Sequence, residues 1–333
     1  MKRQVLINND AATGSISARI PLRKNCLSLM RNIGNMSRIN EKTLTAYLSW
    51  AIDRDIKVEK WTTLSGGIHQ NLHIYTRSNT GKQEYVIRVM PFARNNMLPY
   101  DIQTEYFALK DLEKVELSTP KVWGLDLEGQ FLGQAVFAME FIEGTSVLDA
   151  VSDSPTEIPR LFAEAIWKMN QISPDQVPSV AIKDPNPQGI SNPLSWIQNQ
   201  LPLSQLPHLL TKAYDFLKRE KPEKLPRKVF GNGDVGPQNF ICRPENVIAI
   251  IDWEFVGFND PLRELMLLHT WPEEKPFLQE YPIDRIYCEI AGIDPGILHW
   301  YEMLSNVIGW IYSSKDGQMN RAKVFESCLE EAL

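Results

Sequence analysis

The apolar residues of this chain fall into two regimes. Before residue 144 they come mostly in short runs of strand type, and after it mostly at helical spacing. Lys57-Val58-Glu59-Lys60-Trp61 reads as a strand, and Leu64-Ser65-Gly66-Gly67-Ile68-His69-Gln70-Asn71 as a glycine-containing turn. Leu72-His73-Ile74-Tyr75 reads as the returning strand. In the stretch 83–90, Tyr85, Ile87 and Val89 alternate with Glu84, Val86 and Arg88, which puts Arg88 on the opposite face of that strand. Residues 101–112 carry apolar side chains at 102, 106, 109 and 112, one face of a helix that Asp101 suits as N-cap, with Glu105 beside the stripe. Residues 135–144 read as a buried strand running into an acidic linker that ends in Gly144.

The second half is helical by pattern. Apolar residues at 158, 161, 162, 165, 166 and 169 form one stripe, and segments around 194–197 and 209–217 suggest further helices beyond a proline-rich stretch from Pro174 to Pro193. Asp260-Pro261 is a helix start, with Asp as cap and Pro in the first turn, and opens a helix reaching His269. Trp300, Tyr301, Trp310 and Tyr312 belong to late helices, where core packing is the first reading of such aromatics. One β-hairpin interrupts this half. Phe240-Ile241-Cys242 and the β-branched run 247–251 flank a turn at 243–246.

That hairpin gives a chemical meaning to the polar segment before it. Asp234 is followed after four residues by Asn239, and Asp252 ends the hairpin's second strand, so the hairpin folds Asp252 back toward Asn239. Phosphoryl transfer needs a carboxylate to orient and deprotonate a hydroxyl, and oxygen ligands for a cation at the phosphates. Magnesium is commonly held by one or two protein oxygens plus phosphates and water, and Asn239 and Asp252 supply a neutral and an anionic one. A polar turn before an ordinary buried strand is the plainer alternative, since Asp and Asn favour turns. The chain lacks the Gly, four residues, Gly-Lys-Ser/Thr pattern, which argues against a P-loop protein.

The motif resembles that of the aminoglycoside phosphotransferase and choline kinase-like family, small-molecule relatives of the protein kinases. Their usual form is His-Gly-Asp, four residues, Asn, then Ile-Asp-Trp-Glu and Gly-Asp-Pro. Ile251-Asp252-Trp253-Glu254 matches as it stands, and residues 257–261 match with one residue inserted. Asn232 stands where the family has His, a backbone organiser. The resemblance runs from about residue 41 to the C-terminus and is densest over 228–268. It implies an α+β, protein kinase-like fold with a small β-rich ATP lobe at 41–143 and a larger, mainly helical catalytic and substrate lobe at 144–333. It also implies ATP- and Mg-dependent phosphate transfer to a hydroxyl of a small molecule.

Carried over residue by residue, the resemblance makes Asp234 the catalytic base and Asn239 and Asp252 the metal ligands. Ser65, Gly66 and Gly67 would cover the phosphates. Arg88 stands where kinases carry a Lys, and would clamp them, bidentately where Lys is a point charge. Glu105 would orient Arg88, with Arg94 a rival for either role. Main-chain groups of Glu140, Phe141 and Ile142 would meet adenine. The alternatives at these first-lobe positions are a plain hairpin turn, a solvent-facing strand Arg, a surface Glu and an ordinary exit loop. Two rival functions stand beside the kinase: a non-catalytic nucleotide-binding module, motivated by Asn232 and Arg88, and a helical interaction protein whose motif is coincidental. Asp252 runs almost directly into the Asp260-Pro261 helix with no Ala-Pro-Glu segment, which favours a small acceptor over a protein.

Composition narrows this little. The chain has 333 residues, 43% hydrophobic and 23% charged, enough for two lobes with a core. A net charge of −6 argues against a nucleic-acid binder. Cys26, Cys242, Cys288 and Cys328 are scattered without metal-ligand spacing, which suggests reduced thiols in a cytoplasmic protein. No apolar run approaches the ~20 residues needed to span a bilayer. Residues 11–40 contain no acidic residue while Arg19, Arg23, Lys24, Arg31 and Arg38 are basic, so 1–40 reads as a flexible basic leader, or as sequence upstream of a true start at Met36.

Overall fold

A computed structural model describes residues 39–64, 70–90, 100–181, 193–200, 206–244, 247–270, 277, 280–315 and 317–333. Ser65, Gly66, Gly67, Arg94 and residues 1–38 of the expected leader therefore lie outside the described residues.

The amino-terminal part begins with a helix that the periodicity analysis did not isolate, α1 (Glu41–Ile52). Asn40 starts it. Its side chain accepts from the Thr43 amide at 3.1 Å while Thr43 Oγ1 accepts from the Asn40 amide at 3.1 Å, a reciprocal cap that satisfies two otherwise orphaned donors. Then come β1 (Ile56–Leu64), β2 (Gln70–Ser78), β3 (Gly81–Val89), helix α2 (Ile102–Leu112), β4 (Val122–Asp126) and β5 (Val136–Glu140). The strands form one antiparallel sheet in the order β1-β2-β3-β5-β4. β5 inserts between β3 and β4 because the intervening α2 carries the chain past the sheet.

Alternation sorts the two faces of this sheet. Leu72, Ile74, Tyr85, Ile87, Val89, Val136 and Ala138 pack with Leu44, Tyr47 and Leu48 of α1 in one cluster. Phe137 and Met139 point the other way and join a second cluster with Ile102, Leu109 and Leu112 of α2. Arg88 shares that second face, opposite Phe137 in the register. The alternation read from residues 85–89 is thus the actual geometry, and the strand Arg is buried at 4% exposure rather than facing solvent.

Past the linker at 141–144, the chain is mainly helical. β6 (Thr145–Ser146) leads to α3 (Glu157–Asn170), α4 (Pro193–Gln200) and α5 (His208–Arg219), which enclose the expected helical segments. Short strands follow: β7 (Val229–Gly231), β8 (Phe240–Arg243), β9 (Val247–Ile250) and β10 (Gly257–Asn259). β8 and β9 form the expected hairpin, with Phe240 opposite Ile250. β6 pairs with β8, and β10 pairs with β7. Further along the chain lie α6 (Pro261–Thr270), α7 (Ile283–Ala291), α8 (Leu298–Lys315) and α9 (Met319–Ala332). Asp260 caps α6, accepting from the amides of Leu262 at 3.0 Å and Arg263 at 3.3 Å. Trp300 and Tyr301 are core residues, the Trp300 indole donating to Leu217 O at 2.9 Å and the Tyr301 hydroxyl to Asp260. Among the described residues no helix is long and apolar enough to cross a membrane.

Candidate active site

The site is built on tight backbone. Gly231 ends β7 where a Cβ would lie 2.2 Å from the Glu264 carboxylate, and Gly233, at φ +80°, would put one 2.3 Å from Phe255 O. Only glycine allows the 231–236 loop to lie this close to the segment after Asp252. The loop then enters a single 3₁₀ turn, Pro237–Asn239, which presents Asn239 back toward Asp234.

Asn239 Nδ2 donates to Asp234 Oδ2 at 2.9 Å and to Asp234 O at 3.2 Å. This orientation commits the amide nitrogen to Asp234 and leaves the side-chain oxygen, Oδ1, as the atom able to serve as a ligand. The Ile251 amide donates to Asn239 O at 2.9 Å, closing the hairpin so that Asp252 follows directly beside Asn239. Asp252 itself is left-handed at φ +62°, an uncommon conformation for a side-chain-bearing residue that turns its carboxylate out of the strand. Asn232 is fully buried and joins the two loops, donating to Asp234 O at 2.7 Å and to Asp252 O at 3.3 Å. The residue that departs from the family's His thus retains a backbone-organising role. Burial, then the neighbouring Asp252, pushes the Asp234 carboxyl up to about 6.

The first lobe meets this site through Arg88. Its Nη2 lies 3.0 Å from Glu105 Oε1 and 3.0 Å from Asp252 Oδ1, so one guanidinium corner bridges α2 to the second lobe. Burial opposes the charge, but Glu105 and Asp252 outweigh it and hold Arg88 protonated. Glu105 is 1% exposed, buried beside the apolar stripe and not a surface Glu. Burial pushes its carboxyl up, while Arg88 and Tyr100 pull it back. The Tyr100 hydroxyl donates to Glu105 Oε2 at 2.5 Å. Among the described residues, Arg88 Nε is buried with no hydrogen-bond partner. An anionic oxygen beside it would satisfy that donor.

Glu140, Phe141 and Ile142 lie in the connection between the lobes, but Glu140 is still paired as strand. Its amide donates to Lys121 O at 2.8 Å, so of its main chain only the carbonyl can face a ligand. Two further residues of this region, the half-buried Tyr100 and the buried Glu264, were not anticipated. Tyr100 lies ahead of the helix whose periodicity drew attention, and Glu264, beneath Gly231, lies inside an apolar run. Glu264 accepts from Asn259 Nδ2 and is pushed up to about 8 by burial, so it is largely neutral at pH 7. No spacing rule singles out either residue. Both follow from packing alone.

A model of a phosphotransferase enzyme family matches residues 60–301 of this chain. The chain belongs to the phosphotransferase enzyme family. The suspected kinship with aminoglycoside phosphotransferases is therefore correct. A curated relative, acyl-CoA dehydrogenase family member 11 of Rattus norvegicus, is 24% identical over 247 residues, covering 66% of this chain and 31% of the relative. The chain thus spans about a third of that protein's length. A thermostable mutant of aminoglycoside phosphotransferase APH(4)-Ia, in ternary complex with AMP-PNP and hygromycin B, superposes with a TM-score of 0.57 at 16% identity, covering 87% of this chain and 97% of the other. The GDP and kanamycin complex of APH(2″)-IIIa gives 0.59 at 15%, covering 87% and 97%. These likenesses establish the kinase-like α+β fold of this phosphotransferase.

Proposed function

We propose that this phosphotransferase is an ATP-dependent small-molecule kinase that moves the γ-phosphate to a hydroxyl group. The single observation that carries the reading is the convergence of Asp234 and Asn239, 2.9 Å apart, with Arg88, Glu105 and Asp252, linked at 3.0 Å, the two sets being joined by Asn232. Asp234 accepts the acceptor's hydroxyl proton as its oxygen attacks in line. Asn239 holds Asp234 in place, and Arg88, fixed by Glu105, offers its remaining donors to phosphate oxygens. The Asn239 carbonyl oxygen and the Asp252 carboxylate fit a magnesium ion, one neutral and one anionic oxygen on adjacent backbone. When bound there, magnesium would neutralise charge developing on the phosphates.

Several finer points belong to the same proposal. Residues 41–143 serve the nucleotide and 144–333 the chemistry and acceptor. Ser65, Gly66 and Gly67 cover the phosphates, and main-chain groups of 140–142 meet the base. The acceptor is a hydroxyl-bearing small molecule, favoured by the short stretch from Asp252 to α6. The solved relatives hold an adenine nucleotide analogue in one case and GDP in the other, and adenine is the base proposed here. A cytoplasmic location suits the thiols of Cys242 and Cys288, neither of which is in a disulfide.

One observation favours the rival reading of a nucleotide-binding module without turnover: Arg88 engages Asp252, a proposed metal ligand. ADP release from Mg-ATP across a panel of hydroxyl-bearing metabolites and antibiotics separates the two. Acceptor-dependent release is expected, falling roughly 100-fold or more in Asp234→Asn, as for loss of a general base. Release that survives this substitution would remove Asp234 from the chemistry. Nucleotide binding without release on any acceptor of a wide panel would favour the module.

A further inference from the structure

The cleft face of the first sheet changes character along its strands. Near Asp252 it is charged, with Arg88 on β3 and Asn71 opposite it on β2. Two residues further along each strand, the same face carries His73, Val86 and Met139 in one row of the register. Two strand residues advance roughly 6.5–7 Å, so an aromatic and apolar surface begins about that far from the guanidinium. A nucleotide has the same layout, anionic at one end and a flat aromatic base at the other.

His73 lies at the centre of this surface, 5% exposed. Its Nε2 is 2.7 Å from Glu84 Oε2, which fixes the plane of the ring. Tyr75 packs against it with centroids 4.3 Å apart. Phe141, the first residue of the linker after β5, lies nearly parallel to it, with centroids 4.0 Å apart and planes 11° from parallel. Such a separation is that of two stacked rings and admits no third ring between them.

We propose that Phe141 is a built-in plug: its ring lies on His73 where a nucleobase would stack, and nucleotide binding turns it aside and leaves the base on His73. The proposal rests on the nucleotide reading of this site. Phe141 is half-buried and outside regular structure, so a side-chain rotation frees the surface without unpairing the sheet. Every base has a π-face, so His73 sets the strength of nucleotide binding more than the choice between adenine and guanine.

The test is calorimetric titration of the full chain with AMP-PNP and with inorganic tripolyphosphate, both with magnesium. Tripolyphosphate reaches the charged end and has no base. Phe141→Ala should bind AMP-PNP roughly three- to tenfold more tightly, because the stack no longer has to be broken, with tripolyphosphate affinity unchanged. His73→Ala should bind AMP-PNP roughly tenfold more weakly, again with tripolyphosphate unchanged, and His73→Phe should keep most of the affinity by keeping a ring. AMP-PNP bound equally or more weakly by Phe141→Ala overturns the plug and leaves the nucleotide reading standing. Tripolyphosphate affinity that falls together with AMP-PNP in His73→Ala overturns the base-stacking role. Wild-type protein that binds neither ligand overturns the nucleotide reading and this proposal together.

Discussion

Arg88 pairs with a carboxylate on each side of the junction, Glu105 and Asp252, and its burial makes it costly to remove. Replacing one member of a buried ion pair leaves the other charge unpaired, which typically destabilises by about 3–5 kcal/mol, whereas replacing both with apolar groups costs far less. Arg88→Met should therefore lower the unfolding free energy in urea by about 3–5 kcal/mol, and Arg88→Met with Glu105→Leu by much less. A loss in the double variant equal to the sum of the Arg88→Met and Glu105→Leu losses would show that the pair is not coupled. Glu264 makes a second prediction. Its folded value of about 8 lies above that of an exposed carboxyl, so the folded state favours its protonated form. The stability this contributes is present at acidic pH and is lost as pH rises toward and through 8. Glu264→Gln, which keeps the acceptor for Asn259, should flatten this loss and raise the melting temperature more at pH 8.5 than at pH 5. A pH-independent effect would contradict the assignment. That Asp234, Asn239 and Asp252 come together was legible because the proposed chemistry demands fixed residue types at fixed spacing. Tyr100 and Glu264 were not, since each meets a partner five residues away across irregular backbone that no period describes.

Legibility differs between elements for a similar reason. Strands β2 and β3 and helices α3, α5 and α6 bury one face against a large surface, so their periods are clean. Helix α1 eluded the pattern analysis. Its burial is confined to Leu44, Tyr47 and Leu48, and its capping residues, Asn40 and Thr43, are common turn formers. Its dock against β4 relies on Gly124, at φ +57°, whose missing Cβ would lie 2.2 Å from Ala51 Cβ, and whose carbonyl accepts from the Tyr47 hydroxyl at 2.8 Å. A lone Gly within a strand signals close backbone approach, but not which element approaches. Gly124→Ala combines a strained backbone with a clash, and should destabilise by about 1–3 kcal/mol in urea unfolding. A neutral Gly124→Ala would mean that α1 is not held against β4 as described.

For the whole molecule, the strand-rich and helix-rich regimes of the sequence correspond to two hydrophobic clusters. One lies between the sheet and α1, the other extends from the sheet's far face through the helices. The residues proposed for function stand where the second cluster gives way to charge, so a single buried guanidinium spans 164 positions of sequence to reach Asp252. Acceptor identity was not legible, because the helices that would select it carry no spacing-defined chemistry. The central claim, that this junction is a magnesium-nucleotide site, can be tested without knowing the acceptor. The measurement is calorimetric binding of AMP-PNP with and without magnesium, in wild type and Asp252→Asn. Asn tolerates the left-handed backbone at this position, so the loop should keep its shape. Binding that tightens with magnesium in wild type, and loses that dependence in Asp252→Asn, is the predicted result. Binding indifferent to magnesium in wild type, or an unchanged dependence in the variant, would contradict the account.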